Sequence, residues 1–305
     1  MKKINRRHFL QTGISLLPLA AGASAFAVKK SNPLLSFSTL GCPDWEFEKI
    51  LDFAVANGYQ GLELRGIKRQ IDLLQCPQFN TADAIKNTMR QVKDKKLKII
   101  DLGSSTALHH TNKEERQKNL DMGRKYIDLA HTLGCPYVRV FPNDLPKDDT
   151  RNAIMELIIQ GLQELGNHAK GTKVTVLMES HGDVVRAADI RRIMDSAAND
   201  HVGLVWDISN MWTVTKEPPA EVYPVLKPYI RHTHIKDAKL VDGKINYVLL
   251  GKGDTPIFDA IDILRNDGYK GYYSFEWEKM WHPEIAEPEI ALADYPVAMK
   301  KHFAK

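Results

Sequence analysis

Short apolar runs alternate along the chain with longer amphipathic segments. The runs are rich in β-branched and aromatic residues and are followed by loop signals, a pattern typical of buried parallel strands. The longer segments carry apolar residues at helical spacing, and the clearest of them, from Glu114 to Leu133, is followed by the helix stop Gly134. The pattern predicts eight strands, at 34–40, 61–65, 97–102, 137–141, 174–179, 202–207, 229–234 and 272–276.

Predicted helices separate most of the strands, and a last helix follows them. They lie at 45–57, 82–95, 114–133, 148–169, 187–198, 219–226, 258–266 and 295–303. Strands that alternate with helices form parallel βαβ units, and one such unit of a barrel takes roughly 30 residues. Eight units favour a closed (β/α)8 TIM barrel, an α/β fold, over an open sheet. The chain has no Gly-x-Gly-x-x-Gly after its first strand, which weakens a nucleotide-binding interpretation.

The last four predicted strands each end in a residue that can bind a metal ion. These residues are Glu179, Asp207, His234 and Glu276, and 28, 27 and 42 positions separate them. Because the carboxyl ends of barrel strands meet at one mouth, we expect the four side chains to converge there. Three carboxylates and one imidazole suit a hard or borderline divalent cation. Burying three unpaired carboxylates without a cation would be very costly, so a set of unrelated buried polar residues is a poor alternative.

Charge balance argues against nucleic acid or an anionic membrane as the main partner. The 305 residues include 42 Lys and Arg and 38 Asp and Glu, a formal net charge of +4. Four of the basic residues lie in residues 1–27, which contain no acid, so the remainder is balanced. The three cysteines lie far apart without a Cys-x-x-Cys motif, which excludes a disulfide framework and a zinc ribbon.

The N-terminal segment has the features of an export signal. Arg6 and Arg7 precede an apolar run from Ile14 to Phe26 that ends in small-residue cleavage sites. The paired arginines resemble a twin-arginine signal, which indicates a periplasmic protein; a general secretory signal or an uncleaved anchor is the alternative. The run is short for a membrane span, so no stable membrane insertion is expected. The predicted organisation is a signal peptide at 1–27, a linker at 28–33 and a single barrel domain at 34–305.

Five motifs of the predicted barrel resemble the sugar phosphate isomerase/epimerase family of xylose isomerase-like TIM barrels. They are Leu-Met-Glu-Ser-His-Gly at 177–182, Trp-Asp-Ile-Ser-Asn at 206–210, His-Thr-His-Ile-Lys-Asp at 232–237, Gly-Lys-Gly-Asp at 251–254 and Gly-Tyr-Tyr-Ser-Phe-Glu at 271–276. The resemblance runs from about Phe37 to Glu278. It implies that Glu179, Asp207, His234 and Glu276 hold one divalent cation, often manganese, with cobalt, magnesium or zinc elsewhere in the superfamily.

The resemblance also selects between neighbouring candidate ligands. Alternation along a strand lets both His232 and His234 point inward, and the family's His-x-Lys-Asp pattern selects His234, with His232 one layer deeper. Glu276 matches the family's strand-end glutamate, and Glu278 lies two residues further out. Relatives that bind ketoses often carry a histidine three residues after the metal aspartate. Asn210 stands at that position here, so ketose 3-epimerase specificity does not transfer directly.

A site of this kind suggests proton abstraction beside a carbonyl. A divalent ion that binds a substrate carbonyl and its neighbouring hydroxyl acidifies the adjacent C–H, and a flanking carboxylate removes the proton. As in the resembling epimerases, Glu179 and Glu276 would be both metal ligands and acid/base groups. Further substrate contacts are expected from residues near the mouth, namely His181, Lys236, Arg139, Glu63, Asn210 and Trp212. The alternative for the charged ones is a structural ion pair, and for the tryptophan it is packing.

Three functions remain open at this point. The first is a metal-dependent isomerase or epimerase that acts on a sugar or keto-sugar. The second is a lyase that cleaves oxidised (3-keto) glycosides by β-elimination, which fits export because glycans are broken down outside the cell. The third is a non-catalytic sugar-binding barrel, against which an intact set of metal ligands argues. Because relatives are often dimers or tetramers, the resemblance leaves a homo-oligomer open.

Overall fold

The computed structural model describes residues 32–305. The predicted signal peptide at 1–27 and most of the linker at 28–33 lie outside the described residues. The strands are β1 (Leu34–Ser38), β2 (Gly61–Leu64), β3 (Lys98–Ala107), β4 (Tyr137–Phe141), β5 (Thr175–Glu179), β6 (Val202–Asp207), β7 (Ile230–Ile235), β8 (Asp237–Val241), β9 (Lys244–Val248) and β10 (Tyr272–Phe275). The helices are α1 (Phe47–Ala56), α2 (Ala82–Asp94), α3 (Lys113–Leu133), α4 (Arg151–His168), α5 (Ala187–Ala197), α6 (Ile208–Thr215), α7 (Pro219–Leu226), α8 (Ile257–Asn266) and α9 (Pro288–Phe303).

Eight of the strands are parallel and form a closed barrel in the order β1-β10-β7-β6-β5-β4-β3-β2. The predicted (β/α)8 fold is therefore confirmed. Strands β8 and β9 form a separate antiparallel hairpin that follows β7. Within residues 32–305 no helix has the length and apolarity that a bilayer crossing requires.

Local sequence accounts for the bounds of the longest helix, α3. The side chain of Asn112 caps its first turn by accepting hydrogen bonds from the backbone amides of Glu114 and Glu115. At its other end Gly134 has a φ of +66°, a left-handed conformation that glycine adopts without a steric penalty. The helix therefore ends where the sequence predicts.

The barrel closes where its first strand meets its last. Phe37 of β1 pairs with Phe275 of β10, and α9 packs over this seam. The ring of Tyr295 stacks on Phe275 with centroids 4.5 Å apart, and its hydroxyl donates a 3.0 Å hydrogen bond to the carbonyl of Tyr273. Tyr295 is fully buried, so α9 is part of the core that holds the two ends of the barrel together.

Two element bounds differ from the sequence prediction by at least five residues. Helix α9 begins at Pro288, seven residues before the predicted start at Tyr295. Proline fits the first turn of a helix. Pro296 lies in the middle of α9 and interrupts the helical pattern of the sequence there. Strand β3 continues to Ala107, five residues beyond the prediction. Its pairing with β4 shifts register between Gly103 and Ala107, which lets an irregular, glycine-containing segment remain in the sheet.

The sequence prediction missed one helix and one β-hairpin. Residues 208–215 were expected to be a loop but form α6, since Asp207 serves as its N-cap and accepts a 2.8 Å hydrogen bond from the amide of Asn210. The β8–β9 hairpin turns at Asp242 and Gly243, whose φ angles are +50° and +74°. Asp-Gly between alternating residues is a strong signal for a two-residue hairpin turn, and it could have identified the hairpin.

Candidate metal centre

The four predicted metal ligands converge inside the mouth of the barrel. Glu179, Asp207 and His234 lie at or near the ends of β5, β6 and β7, and Glu276 directly follows β10. One ligand atom from each residue lies within 4.8 Å of the others, and all four side chains are buried. This geometry follows from the fold, because each residue terminates a buried strand and the strand ends meet at one mouth.

The donor atoms at this centre suit a divalent cation. Nδ1 of His234 lies 3.3 Å from Glu276 Oε2, 3.4 Å from Glu179 Oε1 and 3.7 Å from Asp207 Oδ2. Among the described residues, His234 Nδ1, Asp207 Oδ2 and Glu179 Oε2 are buried without a hydrogen-bond partner. Buried polar atoms without partners are rare in folded proteins. One imidazole nitrogen and several carboxylate oxygens form a donor set that fits zinc or manganese, so the residues fit the implied ion.

The second ring nitrogen of His234 is held by Glu63. Nε2 lies 2.9 Å from Glu63 Oε2, and the same oxygen contacts His232 Nε2 at 3.3 Å and Ser274 Oγ at 3.3 Å. Burial opposes ionisation of Glu63, but the two histidines outweigh it and hold the pKa of this carboxyl below its usual range. Glu63 was predicted to contact substrate. In the structure it is fully buried, and its side-chain contacts are with the two histidines and Ser274.

Lys236 brings a positive charge to the carboxylates. Its Nζ lies 2.6 Å from Glu276 Oε2, 2.9 Å from Asp207 Oδ2 and 2.7 Å from Glu278 Oε1. Burial alone would lower the pKa of Lys236, but these three carboxylates raise it well above its usual value. The lysine is therefore a buried ammonium beside two of the candidate metal ligands.

Arg139 carries a second positive charge at the centre. Its Nε lies 3.1 Å from Glu179 Oε2, without the geometry of a hydrogen bond. The contact of Lys236 with Asp207 Oδ2 also lacks that geometry. The sequence analysis argued that the buried carboxylates would need a bound metal ion to neutralise them. That argument is corrected, because Arg139 and Lys236 already place two positive charges beside these carboxylates. The support for a metal comes instead from the unpartnered donor atoms.

The remaining predicted site residues lie at varying positions around the mouth. Asn210 places its side-chain nitrogen 3.4 Å from Glu179 Oε1, so it contacts a ligand carboxylate. His181 is half-buried, and its Nδ1 lies 2.9 Å from the side-chain oxygen of Asn143. Trp212 lies on α6, where Lys216 Nζ is 5.1 Å from the ring centroid. Asn210 is thus part of the centre, and His181 follows the ligand Glu179 by two residues.

Three further residues lie near the centre, and no sequence motif predicted them as site residues. Tyr247 of the β8–β9 hairpin places its ring 5.6 Å from Lys236 Nζ. Asp101 of β3 is fully buried, and burial followed by the charge of Glu63 raises its pKa well above the usual value. Arg65, directly after β2, is also buried.

The glycine-rich segment at 251–254 supports the strand end next to the centre. The amides of Gly251 and Gly253 donate hydrogen bonds of 2.8 and 2.9 Å to Asp237 Oδ2. A Cβ on Gly253 would lie 2.0 Å from Asp237 Oδ1, so this approach requires glycine. Asp237 therefore anchors the loop that follows the hairpin, and these two amides bind a residue of the chain itself.

Comparison with known proteins assigns the chain to a family. The model of the xylose isomerase-like TIM barrel family matches residues 51–295, so the chain belongs to this family. No curated protein matches the sequence.

Several solved structures share the fold at low sequence identity. The IOLI protein with a bound zinc atom has a TM-score of 0.75 and 17% identity, over 89% of this chain and 98% of that one. The probable 3-DHS dehydratase AsbF from Bacillus anthracis has a TM-score of 0.73 and 16% identity, over 88% and 98%. The 3-keto-D-glucoside 4-epimerase YcjR from E. coli has a TM-score of 0.70 and 15% identity, over 88% and 100%. At these identities the likeness shows the fold.

Proposed function

We propose that this protein is a divalent-metal-dependent isomerase or epimerase that removes a proton next to the carbonyl of a sugar or keto-sugar. The observation that carries the proposal is the convergence of Glu179, Asp207, His234 and Glu276, with buried donor atoms that lack partners. The likeness to an epimerase of a keto-glucoside supports this class of reaction. Manganese is the proposed ion, and the zinc in the IOLI protein makes zinc the first alternative.

The two glutamates of the centre would move the proton. A bound divalent ion would polarise the substrate carbonyl and acidify the neighbouring C–H. Burial opposes ionisation of Glu276, but His234 and then Lys236 hold its pKa well below the usual value, so the group is a carboxylate. One glutamate accepts the proton from carbon, and the other, when protonated, returns a proton to the opposite face or to the next carbon.

The test of this proposal is metal content, measured by elemental analysis on the full chain. We expect about one manganese, cobalt or zinc ion per chain in the parent protein, as one four-ligand site implies. The variants Glu276→Gln and His234→Ala should lose it. The matched controls are Glu48→Gln and His131→Ala, two exposed residues of α1 and α3 outside the centre, which should keep it. A parent that stays metal-free after incubation with these ions would favour the non-catalytic sugar-binding barrel.

Elimination is the second candidate reaction. The likeness to a probable dehydratase favours it, since a dehydratase eliminates water from its substrate. A 3-keto-glycoside lyase would use the same proton abstraction and then expel an aglycone. An epimerase and a lyase would both exchange a substrate C–H for solvent deuterium, but only the lyase would release the aglycone. A binding protein would do neither.

We also propose that residues 1–27 direct export to the periplasm through the twin-arginine route. The support is the sequence pattern of Arg6 and Arg7 before an apolar run. Replacing both arginines by lysine should retain the protein in the cytoplasm, as cell fractionation would show. Unchanged export of this double variant would favour a general secretory signal.

A further inference from the structure

Within residues 32–305, Arg65 is a buried guanidinium that forms no ion pair with a carboxylate. The residue is 6% exposed, and Nη2 donates a 3.1 Å hydrogen bond to the Ser105 hydroxyl. Its Nη1 is buried and has no hydrogen-bond partner among residues 32–305, and no ion pair involving Arg65 occurs there. A buried charge of this kind is costly unless an opposite charge is bound. The side chain therefore fits a site whose anion comes from a ligand.

A second guanidinium lies next to Arg65. A Cβ on Gly103 would lie 2.7 Å from Arg65 Cδ and 2.9 Å from Arg139 Nη2, so both side chains pass over this glycine. Burial and then the charge of Arg139 lower the pKa of Arg65 to about 10. Two adjacent like charges increase the attraction for an anion, and the absence of a side chain at Gly103 provides the room for both.

Arg139 joins this pair to the candidate metal centre. Its Nη1 donates a 3.0 Å hydrogen bond to the carbonyl of Ser104, and its guanidinium carbon lies 3.8 Å from the centroid of the Phe141 ring. These contacts fix its orientation, and on its other side Nε lies 3.1 Å from Glu179. A ligand atom at Arg65 would therefore be close to the atoms that hold the metal.

Strand alternation places Arg65 at the mouth of the barrel. Glu63 contacts His232 and His234 in the barrel interior, and side chains two positions apart on a strand point the same way. Arg65, two residues after Glu63, is thus directed inward at the mouth. The two guanidiniums there come from the residue after β2 and from β4, whereas the candidate ligand carboxylates come from β5, β6 and the residue after β10.

We propose that Arg65 and Arg139 bind an oxyanion of the substrate, a carboxylate or a phosphate, so that the preferred substrate is an acidic sugar. The planar guanidinium matches both groups with two parallel N–H donors. The proposal rests on the proposed function, since it places the reacting carbon of that substrate at the metal and its oxyanion at the arginines.

The test is calorimetric binding to the metal-loaded full chain at constant ionic strength, with D-glucuronate, glucose 6-phosphate and D-glucose as probes. We expect the better acidic probe to bind at least about tenfold more tightly than glucose, as one charge-assisted hydrogen-bonded pair provides. A preference for glucuronate identifies a carboxylate, and a preference for glucose 6-phosphate identifies a phosphate. Equal affinities, or no binding of either acidic probe at millimolar concentration, would overturn the proposal.

Variants separate a ligand site from a structural role. Arg65→Met should abolish the preference for the acidic probe and leave the melting temperature of the ligand-free protein unchanged or higher, because it removes a buried charge that forms no ion pair within residues 32–305. A large drop in that melting temperature would show that Arg65 is structural. Gly103→Ala should also weaken the preference, because its methyl group displaces both arginines. The control Arg69→Met removes an exposed arginine that is paired with Asp44 and should change nothing.

Metal content and proton exchange distinguish this proposal from the proposed function. Arg65→Met should retain the metal of the parent. A parent that selects acidic probes but binds no metal and exchanges no substrate proton would refute the proposed function and leave the oxyanion site standing. A metal-loaded parent that exchanges protons of neutral and acidic keto-sugars equally well would refute the oxyanion site and leave the proposed function standing.

Discussion

His234 contacts a different set of groups with each of its ring nitrogens. Nε2 meets the carboxylate of Glu63 at 2.9 Å, and Nδ1 faces Glu179 and Glu276. A carboxylate that accepts a hydrogen bond from one ring nitrogen of a histidine fixes the tautomer of the ring. The other ring nitrogen then keeps its lone pair, which can bind a metal ion. We therefore assign Glu63 a positioning role, in place of the substrate contact that the sequence suggested.

Replacing Glu63 tests this positioning role. Glu63→Gln keeps the volume of the side chain but removes the charge that orients His234, so manganese affinity should fall roughly 10- to 100-fold. Calorimetry would measure the affinity, and the electron paramagnetic resonance spectrum of bound manganese should change with the ligand geometry. Ser274→Ala is the matched control, because it loses only a 3.3 Å hydrogen bond to the same oxygen. An unchanged affinity and spectrum in Glu63→Gln would contradict the role.

At the scale of elements, one aspartate both ends β6 and starts α6. Oδ1 of Asp207 accepts a 2.8 Å hydrogen bond from the amide of Asn210, and Oδ2 faces His234 at 3.7 Å. Helix α6 therefore positions one carboxylate oxygen by using the other as its cap.

The two uses of Asp207 can be separated by mutation. Asp207→Asn keeps an oxygen that can cap α6, whereas Asp207→Ala removes it, and both remove the charge beside Lys236. Both variants should lose the metal, but the alanine variant should be less stable than the asparagine variant by about 1 kcal/mol, the usual value of an N-cap. Urea unfolding of the metal-free proteins measures this difference. Equal stability of the two variants would show that the cap contributes nothing.

The sequence predicts most of the barrel and the four converging ligands, for a physical reason. A buried strand that ends in a polar residue leaves a local signal, and the fold brings such ends together. Helix α6 lacks that signal because it begins inside a ligand motif, and Pro296 interrupts the helical pattern in the middle of α9. The contacts of Arg65 and Lys236 were beyond prediction, because a partner across the barrel depends on geometry that one strand does not encode.

At the scale of the whole molecule, the seam between β1 and β10 depends on one aromatic cluster. Tyr295 of α9 is fully buried and stacks on Phe275. Tyr295→Ala should lower the free energy of unfolding by about 3–5 kcal/mol, as other buried aromatic truncations do. Tyr295→Phe loses only the hydroxyl and should cost about 1 kcal/mol.

Denaturant unfolding tests both substitutions against Val297→Ala. That valine lies on the same helix but is 64% exposed, so its replacement should change stability by less than about 0.5 kcal/mol. A similar loss in all three variants would mean that α9 contributes through its helix alone and not through the aromatic contact.

The pairing of β1 with β10 also determines when the protein can finish folding. Phe37 can pair with Phe275 only after the ribosome has added about 240 further residues. Contacts between residues so far apart in sequence slow folding. Until then the nascent chain has both edges of its growing sheet open. Arg65 and Arg139 are also synthesised before Glu179, the first of the carboxylates at the mouth. Glu276 directly follows β10, so closure of the barrel and completion of the candidate centre come at nearly the same point of synthesis.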